Sequence, residues 1–268
     1  MSKYFVLLIC LVLSNALIAQ EEDFEDVSVN TQFWSDFNGR YSVKEHMDVS
    51  TQIGYRTINP HIYDRYLLVP TLNIDHLKPL NFLNLENPLI SSFHLGAGLF
   101  YTNNYDGSDN NFEFRLVQGF KFYIPSLKFI PLKGYFRLEE RFQKNLNTSL
   151  WDATARIRFK LSTVIEWKKH LWSFSQGLYI PASIELFYSF QEADRYNDVI
   201  RISPGLGYKF NDDWRVEMYA SYHYSNNTSE NQDSSNDLVL RLRLYKSSLR
   251  KKKKEIDTKE EDIKDLIE

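Results

Sequence analysis

Residues 151–162, WDATARIRFKLS, sort into two faces when read alternately. Ala153, Ala155, Ile157, Phe159 and Leu161 share one side; Thr154, Arg156, Arg158, Lys160 and Ser162 share the other. A period of two is the signature of a β-strand. A strand with one apolar and one strongly cationic face leaves two solutions. In a soluble sandwich the apolar face is covered by protein and the arginines meet water. In a barrel set in lipid the apolar face points outward and the charges line the interior.

The alternation recurs along the chain. Met47, Val49, Thr51, Ile53 and Tyr55 oppose Asp48, Ser50, Gln52, Gly54 and Arg56; Phe93, Leu95, Ala97, Leu99 and Tyr101 oppose His94, Gly96, Gly98 and Phe100. Phe112, Phe114, Leu116, Phe120 and Phe122 oppose Glu113, Arg115, Gly119 and Lys121, and Phe136, Leu138 and Phe142 oppose Arg137, Glu139 and Arg141. Ile184, Leu186 and Tyr188 face away from Glu185, as do Ile200, Ile202 and Leu206 from Arg201. Trp214, Val216, Met218 and Tyr222 oppose Arg215, Glu217 and His223, and Leu238, Leu240, Leu242 and Leu244 oppose Arg241 and Arg243. Residues 31–41 and 61–70 read as extended, and 71–90 or 172–182 could hold a further strand. The count is roughly eleven strands, with that further strand as a possible twelfth, and the prediction is an antiparallel set of about ten to twelve. Many of the runs match the ~9–11 residues that a tilted strand needs to cross a bilayer.

The connections carry the same message. Val43-Lys44-Glu45 and Asn211-Asp212-Asp213 are tight turns, whereas 102–111, 143–149 and 225–237 are longer and polar. Short turns at one end and long loops at the other are the habit of outer-membrane barrels. Aromatic residues make up 15% of the chain, and Trp34, Trp151, Trp172, Trp214 and Tyr222 fall near strand ends, where interfacial girdles belong. Lipid outside and charge inside is therefore the preferred solution. With the 211–213 turn and the C-terminus on one side, an odd strand number puts the mature N-terminus on the other, so an even count is expected.

Residues 1–19 read as a secretory signal, with Lys3 before the apolar run Tyr4–Leu13 and cleavage expected near Ala19–Gln20. An acidic segment, 20–30, follows, then the barrel at 31–245 and a charged tail at 246–268. The single cysteine, Cys10, lies within the signal, so no disulfide framework is expected in the mature chain. No later stretch has the length and hydropathy of a membrane-spanning helix. The net charge of −3 gives no reason to expect nucleic acid as a partner.

The strand FWSDFNGRYSV, then LEERFQ followed by ATARIRFKL, IELFYSF and RISPGLGYKFNDDWRVEMYASYHY, resemble the family known as domain of unknown function 2490. The resemblance covers about residues 30–245 and is most specific at GLGYKFNDDW. It implies an outer-membrane β-barrel of Gram-negative bacteria, with outer-membrane lipid and the barrel assembly machinery as partners. It carries no catalytic residues. Barrels of this kind commonly end on an aromatic residue of the last strand; here Tyr245 is followed by Lys251–Lys254 and an acidic run. The tail reads as a solvated periplasmic extension, or as a contact helix for a periplasmic partner or the inner leaflet.

The lumen is expected to hold Arg156, Arg158, Arg201, Arg241, Arg243, Arg115 and Arg137, with Arg56, Arg141, Arg215, Lys121, Lys160 and Lys209. Glu113, Glu139, Glu185 and Glu217 stand against them, with Asp36, Asp48 and Asp152. Two readings stay open: a ladder of ion pairs filling a narrow interior, or surplus positive charge that selects anions in a passive pore or small-solute transport barrel. A closed interaction barrel that binds a partner through its loops or tail is the alternative. No cofactor or metal motif is present.

Catalysis is disfavoured. His94 and His223 each lie two positions from a serine, Ser92 and Ser221, which is expected to put the hydroxyl about 6–7 Å from the imidazole along the strand. That spacing is read as too long for direct proton transfer, and no Gly-x-Ser-x-Gly elbow occurs. A lipid-modifying enzyme is thus the least favoured reading.

Overall fold

The computed structural model describes residues 29–44, 46–59, 63–75, 90–105, 110–124, 132–166, 177–190, 198–225 and 235–248. The signal segment, most of the 20–30 stretch, Trp172 and the tail beyond Ser248 lie outside the described residues. Among these residues the chain forms eleven strands: β1 Val29–Lys44, β2 Met47–Asn59, β3 Tyr63–Asp75, β4 Ile90–Asn104, β5 Asn111–Ile124, β6 Leu132–Asn145, β7 Trp151–Glu166, β8 Leu178–Ser189, β9 Asp198–Lys209, β10 Trp214–Ser225 and β11 Ser235–Ser248. Each consecutive pair is antiparallel, and β1 closes on β11 to complete a barrel.

That closure departs from the fully antiparallel, even-stranded expectation. β1 and β11 run parallel in continuous register from Val29–Asn236 to Tyr41–Ser248. The reason is parity: an odd number of up-and-down strands puts the first and last in the same direction. Val29 and Ser248 therefore lie at opposite ends of the barrel. Neither of the intervals 71–90 and 172–182 contributes a further strand among the described residues; Thr71–Asp75 extends β3 and Leu178–Ala182 opens β8.

The register sorts the side chains as the alternation requires. Ile53, Leu68, Leu99, Ile184, Leu186, Leu206, Met218, Leu238 and Leu240 are exposed on the outer wall. Asp36, Glu113, Arg115, Glu139, Arg156, Glu185 and Glu217 are buried inside. This is the reverse of a soluble core, where apolar groups are the buried ones. Proline interrupts the ladders because it has no N–H to donate. Pairing of β3 with β4 skips from Leu68–Leu99 to Thr71–Gly96 around Pro70, and β9 with β10 from Gly205–Tyr219 to Ile202–Tyr222 around Pro204.

The two ends differ. One end, here the loop end, carries the connections at 105–110, 145–150, 190–197 and 226–234, with the short 60–62 interval between β2 and β3. The other, the turn end, carries the tight Lys44–Met47 and 210–213 connections. The division into short turns and long loops is not complete, because the intervals 76–89, 125–131 and 167–176 also join strands at the turn end; all three lie outside the described residues.

Candidate functional site: an arginine-lined lumen

Three inward glutamates organise the interior. Glu113 on β5 accepts from Arg115 Nε and Arg141 Nε, both at 2.6 Å, and pairs with Arg65. Glu139 on β6 takes Arg156 Nε at 2.6 Å on one oxygen and Arg158 Nη1 at 2.8 Å on the other, and pairs with Arg137 as well. Glu185 on β8 binds Arg158 Nη2 at 2.7 Å, Lys160 Nζ at 3.0 Å and Arg201 Nη1 at 3.2 Å. Arg158 thus bridges two carboxylates. The lattice spans β3 to β9, and its cations outnumber its carboxylates.

A second group closes the seam. Asp36 on β1 accepts from Arg241 Nε at 2.5 Å and from Gln52 Nε2 at 2.7 Å, with Arg243 Nε at 3.9 Å. Glu217 accepts from Tyr179 at 2.8 Å and Tyr219 at 2.7 Å, and lies 3.7 Å from Arg215. Buried charges are tolerable only when paired and hydrogen-bonded in this way.

Inward aromatics take up part of the remaining positive charge. The Arg56 guanidinium lies 3.9 Å from the centre of the Trp34 ring, and Arg115 lies 4.0 Å from that of Phe100. Arg158 and Arg201 approach Phe187 at 4.6 and 4.9 Å. Each such contact is worth roughly 0.5–2 kcal/mol. These rings were not singled out in the sequence as arginine platforms, yet their parity gives them away: Trp34 shares a face with Asp36, Phe100 with Gly98, and Phe187 with Glu185.

Trp34 therefore corrects its assignment to an interfacial girdle. It is buried inside, and its Nε1–H donates to Gln32 Oε1 at 2.9 Å. A strand-end position along the chain does not outweigh the parity of the register. Trp151 is exposed at the loop end of β7, and Tyr222 lies on the outer wall. Trp214 opens β10 at the turn end, its ring 6.4 Å from that of Phe37. One outward charge had no part in the sequence reading: Glu140 projects from the outer wall, accepting from Gln118 Nε2 at 3.3 Å.

The lumen is not uniform along its axis. At the loop end Gln32 Nε2 donates to Asp237 at 2.7 Å and Tyr63 Oη donates to Gln32 at 3.1 Å. Trp34, His223, Val239, Arg65, Glu113 and Arg141 are buried with them. This layer plugs the barrel. Below it lies a cavity of about 210 Å³ walled by Arg56, Arg115, Arg137, Arg156, Arg158, Lys160, Arg201, Arg241 and Arg243, with Glu185 the only carboxylate on its lining. Arg243 also borders a vestibule of about 560 Å³ at the turn end, which Arg40, Lys121, Lys209 and Arg215 share with Asp75, Asp212 and Asp213.

The serine–histidine spacing is the other correction. Ser92 Oγ lies 2.8 Å from His94 Nε2, not beyond reach. The 6–7 Å separation holds for the backbone, but side chains lean along a strand, and the imidazole spans the gap. His94 Nδ1 in turn meets Asn73 Oδ1 on the adjacent β3. His223 instead packs edge-on against Trp34, ring centres 5.2 Å apart. No group of His, Cys, Asp and Glu able to hold a metal ion occurs among the described residues.

No curated protein matches the chain. Among solved structures, the translocator domain of autotransporter NalP from Neisseria meningitidis is similar at 14% identity over 74% of each chain, with a TM-score of 0.40. The model of a family of proteins of unknown function, DUF2490, matches residues 31–234, and the chain belongs to that family.

Proposed function

We propose that this barrel resides in a bacterial outer membrane and that its lumen is a passage for small anions, entered from the turn end and held shut by the loop-end plug. The observation that carries the reading is the central cavity, whose lining among the described residues bears Arg56, Arg137, Arg158, Lys160, Arg201, Arg241 and Arg243 with Glu185. Glu139 and Asp36 pair with some of these from behind the wall and leave the cations in excess. Cation-lined constrictions favour anions, and the guanidinium fork suits carboxylate and phosphate oxygens. Strand number agrees: about eight strands leave room only for side chains and sixteen leave an open channel, so eleven fit a narrow, largely filled bore. The apolar outer wall supports the membrane setting, since a water-facing wall of this kind would aggregate.

A closed interaction barrel is the second reading, and the plug of Gln32, Tyr63, Asp237, Glu113 and Arg141 favours it. Planar-bilayer recording separates the two. The pore reading expects small, anion-selective openings, with selectivity weakened when Arg241 and Arg243 become Gln and opening made frequent by Glu113→Gln. Silent bilayers with all three proteins, each shown folded by a heat-induced shift in gel mobility, would leave only the interaction barrel.

A further inference from the structure

The vestibule wall holds a hydrogen-bonded series whose direction is fixed from one end. Asp48 is paired with Arg40 and buried, so its carboxylate only accepts. Asn73 Nδ2 donates to Asp48 Oδ1 at 2.6 Å and to Ser50 Oγ at 3.0 Å, which turns Asn73 Oδ1 toward His94 Nδ1. An amide oxygen cannot donate, so Nδ1 carries the imidazole proton and Nε2 keeps its lone pair. Ser92 Oγ–H therefore donates to Nε2 across 2.8 Å. Nucleophile, base and orienting group stand in the order that acyl-transfer chemistry requires.

Ser92 is itself buried, and the residues around it are the ones that open onto the vestibule. β4 starts at the turn end, so Ser92 lies nearer the mouth than His94. Its cross-strand neighbours on either side, Asp75 and Lys121, both line the vestibule, as do His94 and Asn73. The His94 ring is held edge-on by Tyr135, centres 5.3 Å apart. Nothing in the anion passage proposed above uses this series.

We propose that Ser92 is a nucleophile activated by His94, acting on small carboxylic esters that carry an anionic group. The vestibule's Arg40, Lys121, Lys209 and Arg215 supply the preference for negative charge. Ser92 Oγ attacks the ester carbonyl carbon and its proton passes to His94 Nε2. Lys121, paired with Ser92 in register, is the nearest strand neighbour with a positive charge to offer the oxyanion. The carbonyl–oxygen bond to the alcohol then breaks, and the alcohol leaves with the proton from Nε2. Water repeats the sequence on the acyl-serine, releasing the acid and restoring Ser92.

The experiment is covalent labelling of the full-length, detergent-folded protein with a fluorophosphonate. Serine forms the Oγ–P bond and fluoride leaves, with the serine proton taken by His94. Peptide mass mapping is expected to place one phosphonate on Ser92, with none in Ser92→Ala and a rate at least a hundredfold lower in His94→Gln. Asn73→Leu is expected to slow labelling about tenfold. The ¹⁵N shifts of His94 are expected to show a single Nδ1–H tautomer in the natural protein and those of a mixture in Asn73→Leu. All variants are checked by their heat-induced mobility shift, and 4-nitrophenyl succinate is expected to be cleaved faster than 4-nitrophenyl acetate. Absence of label on Ser92 in folded protein while chymotrypsin in the same tube is modified overturns the proposal, as does labelling that His94→Gln leaves unchanged.

Discussion

Arg241 Nε donates to Asp36 Oδ2 at 2.5 Å across the parallel seam between β11 and β1, joining residues 205 apart in sequence. The pair sits where the barrel closes, with Arg243 Nε 3.9 Å from the same carboxylate. Removing one partner from a buried pair costs about 3–5 kcal/mol, mostly through the charge left behind. Asp36→Asn is therefore expected to lower the unfolding free energy, read from a urea titration, by an amount in that range. Arg241→Met is expected to cost less, because Arg243 stays near Asp36. A double-mutant cycle should give a coupling energy of about 1–3 kcal/mol; a coupling near zero would mean that the seam does not depend on this contact.

Glu139 is fully buried and shared among Arg137, Arg156 and Arg158. Glu139→Gln keeps the shape and removes the charge that holds three guanidinium groups together. The expected result is a loss of about 3–5 kcal/mol, read from equilibrium unfolding in detergent or lipid. Added phosphate or sulfate should restore part of that stability by substituting for the missing anion.

Gly119 lies where β5 meets β6, and a Cβ built on it would stand 2.5 Å from the Phe136 carbonyl oxygen. Backbone cannot move aside as a side-chain end can. Gly119→Ala is expected to destabilise the barrel by about 1–3 kcal/mol, the usual cost of overpacking, and to reduce the yield of heat-shifting protein. Gly39 provides the control. A Cβ there meets nothing nearer than Phe37 Cε1 at 3.8 Å, so Gly39→Ala should leave the yield unchanged.

Glu140 is a charged residue in the middle of the outer wall, between Leu116 and Ala155 in register. A carboxylate facing hydrocarbon is unfavourable, though less so than Arg or Lys. Glu140→Leu is expected to raise folding stability in phospholipid vesicles by about 1 kcal/mol, with little change in detergent. A loss of stability in vesicles would show that Glu140 serves a contact stronger than its hydrogen bond to Gln118.

The faces of the strands were legible in the sequence because a period of two is a local property. In 151–162 each side chain's neighbours on the same face are two residues away, so Arg156 and Arg158 could be placed together before any fold was known. What spans strands was not legible. The parallel seam depends on the total strand number, and the tight turns do not count the strands across 71–90 or 172–182. Trp34 was misplaced because proximity to a strand end was weighed above its parity with Gln32 and Asp36. The Ser92–His94 contact was missed because backbone spacing stood in for side-chain reach, and its second half, Asn73, comes from β3, about twenty residues earlier in the chain. Glu140 breaks the apolar alternation of LEERFQ, a signal legible in the sequence.

The central claim is the inversion of faces, with the apolar wall toward lipid and the arginines toward an aqueous lumen. The measurement that tests it most directly is spin-label accessibility at Leu240, Arg241, Leu242 and Arg243, each changed singly to cysteine in mature protein refolded into phospholipid vesicles. The account expects labels at 240 and 242 to be relaxed strongly by oxygen dissolved in the bilayer and weakly by a water-soluble nickel chelate. Labels at 241 and 243 should show the opposite ranking. Alternation in the reverse sense, or strong nickel accessibility at 240 and 242, would contradict it.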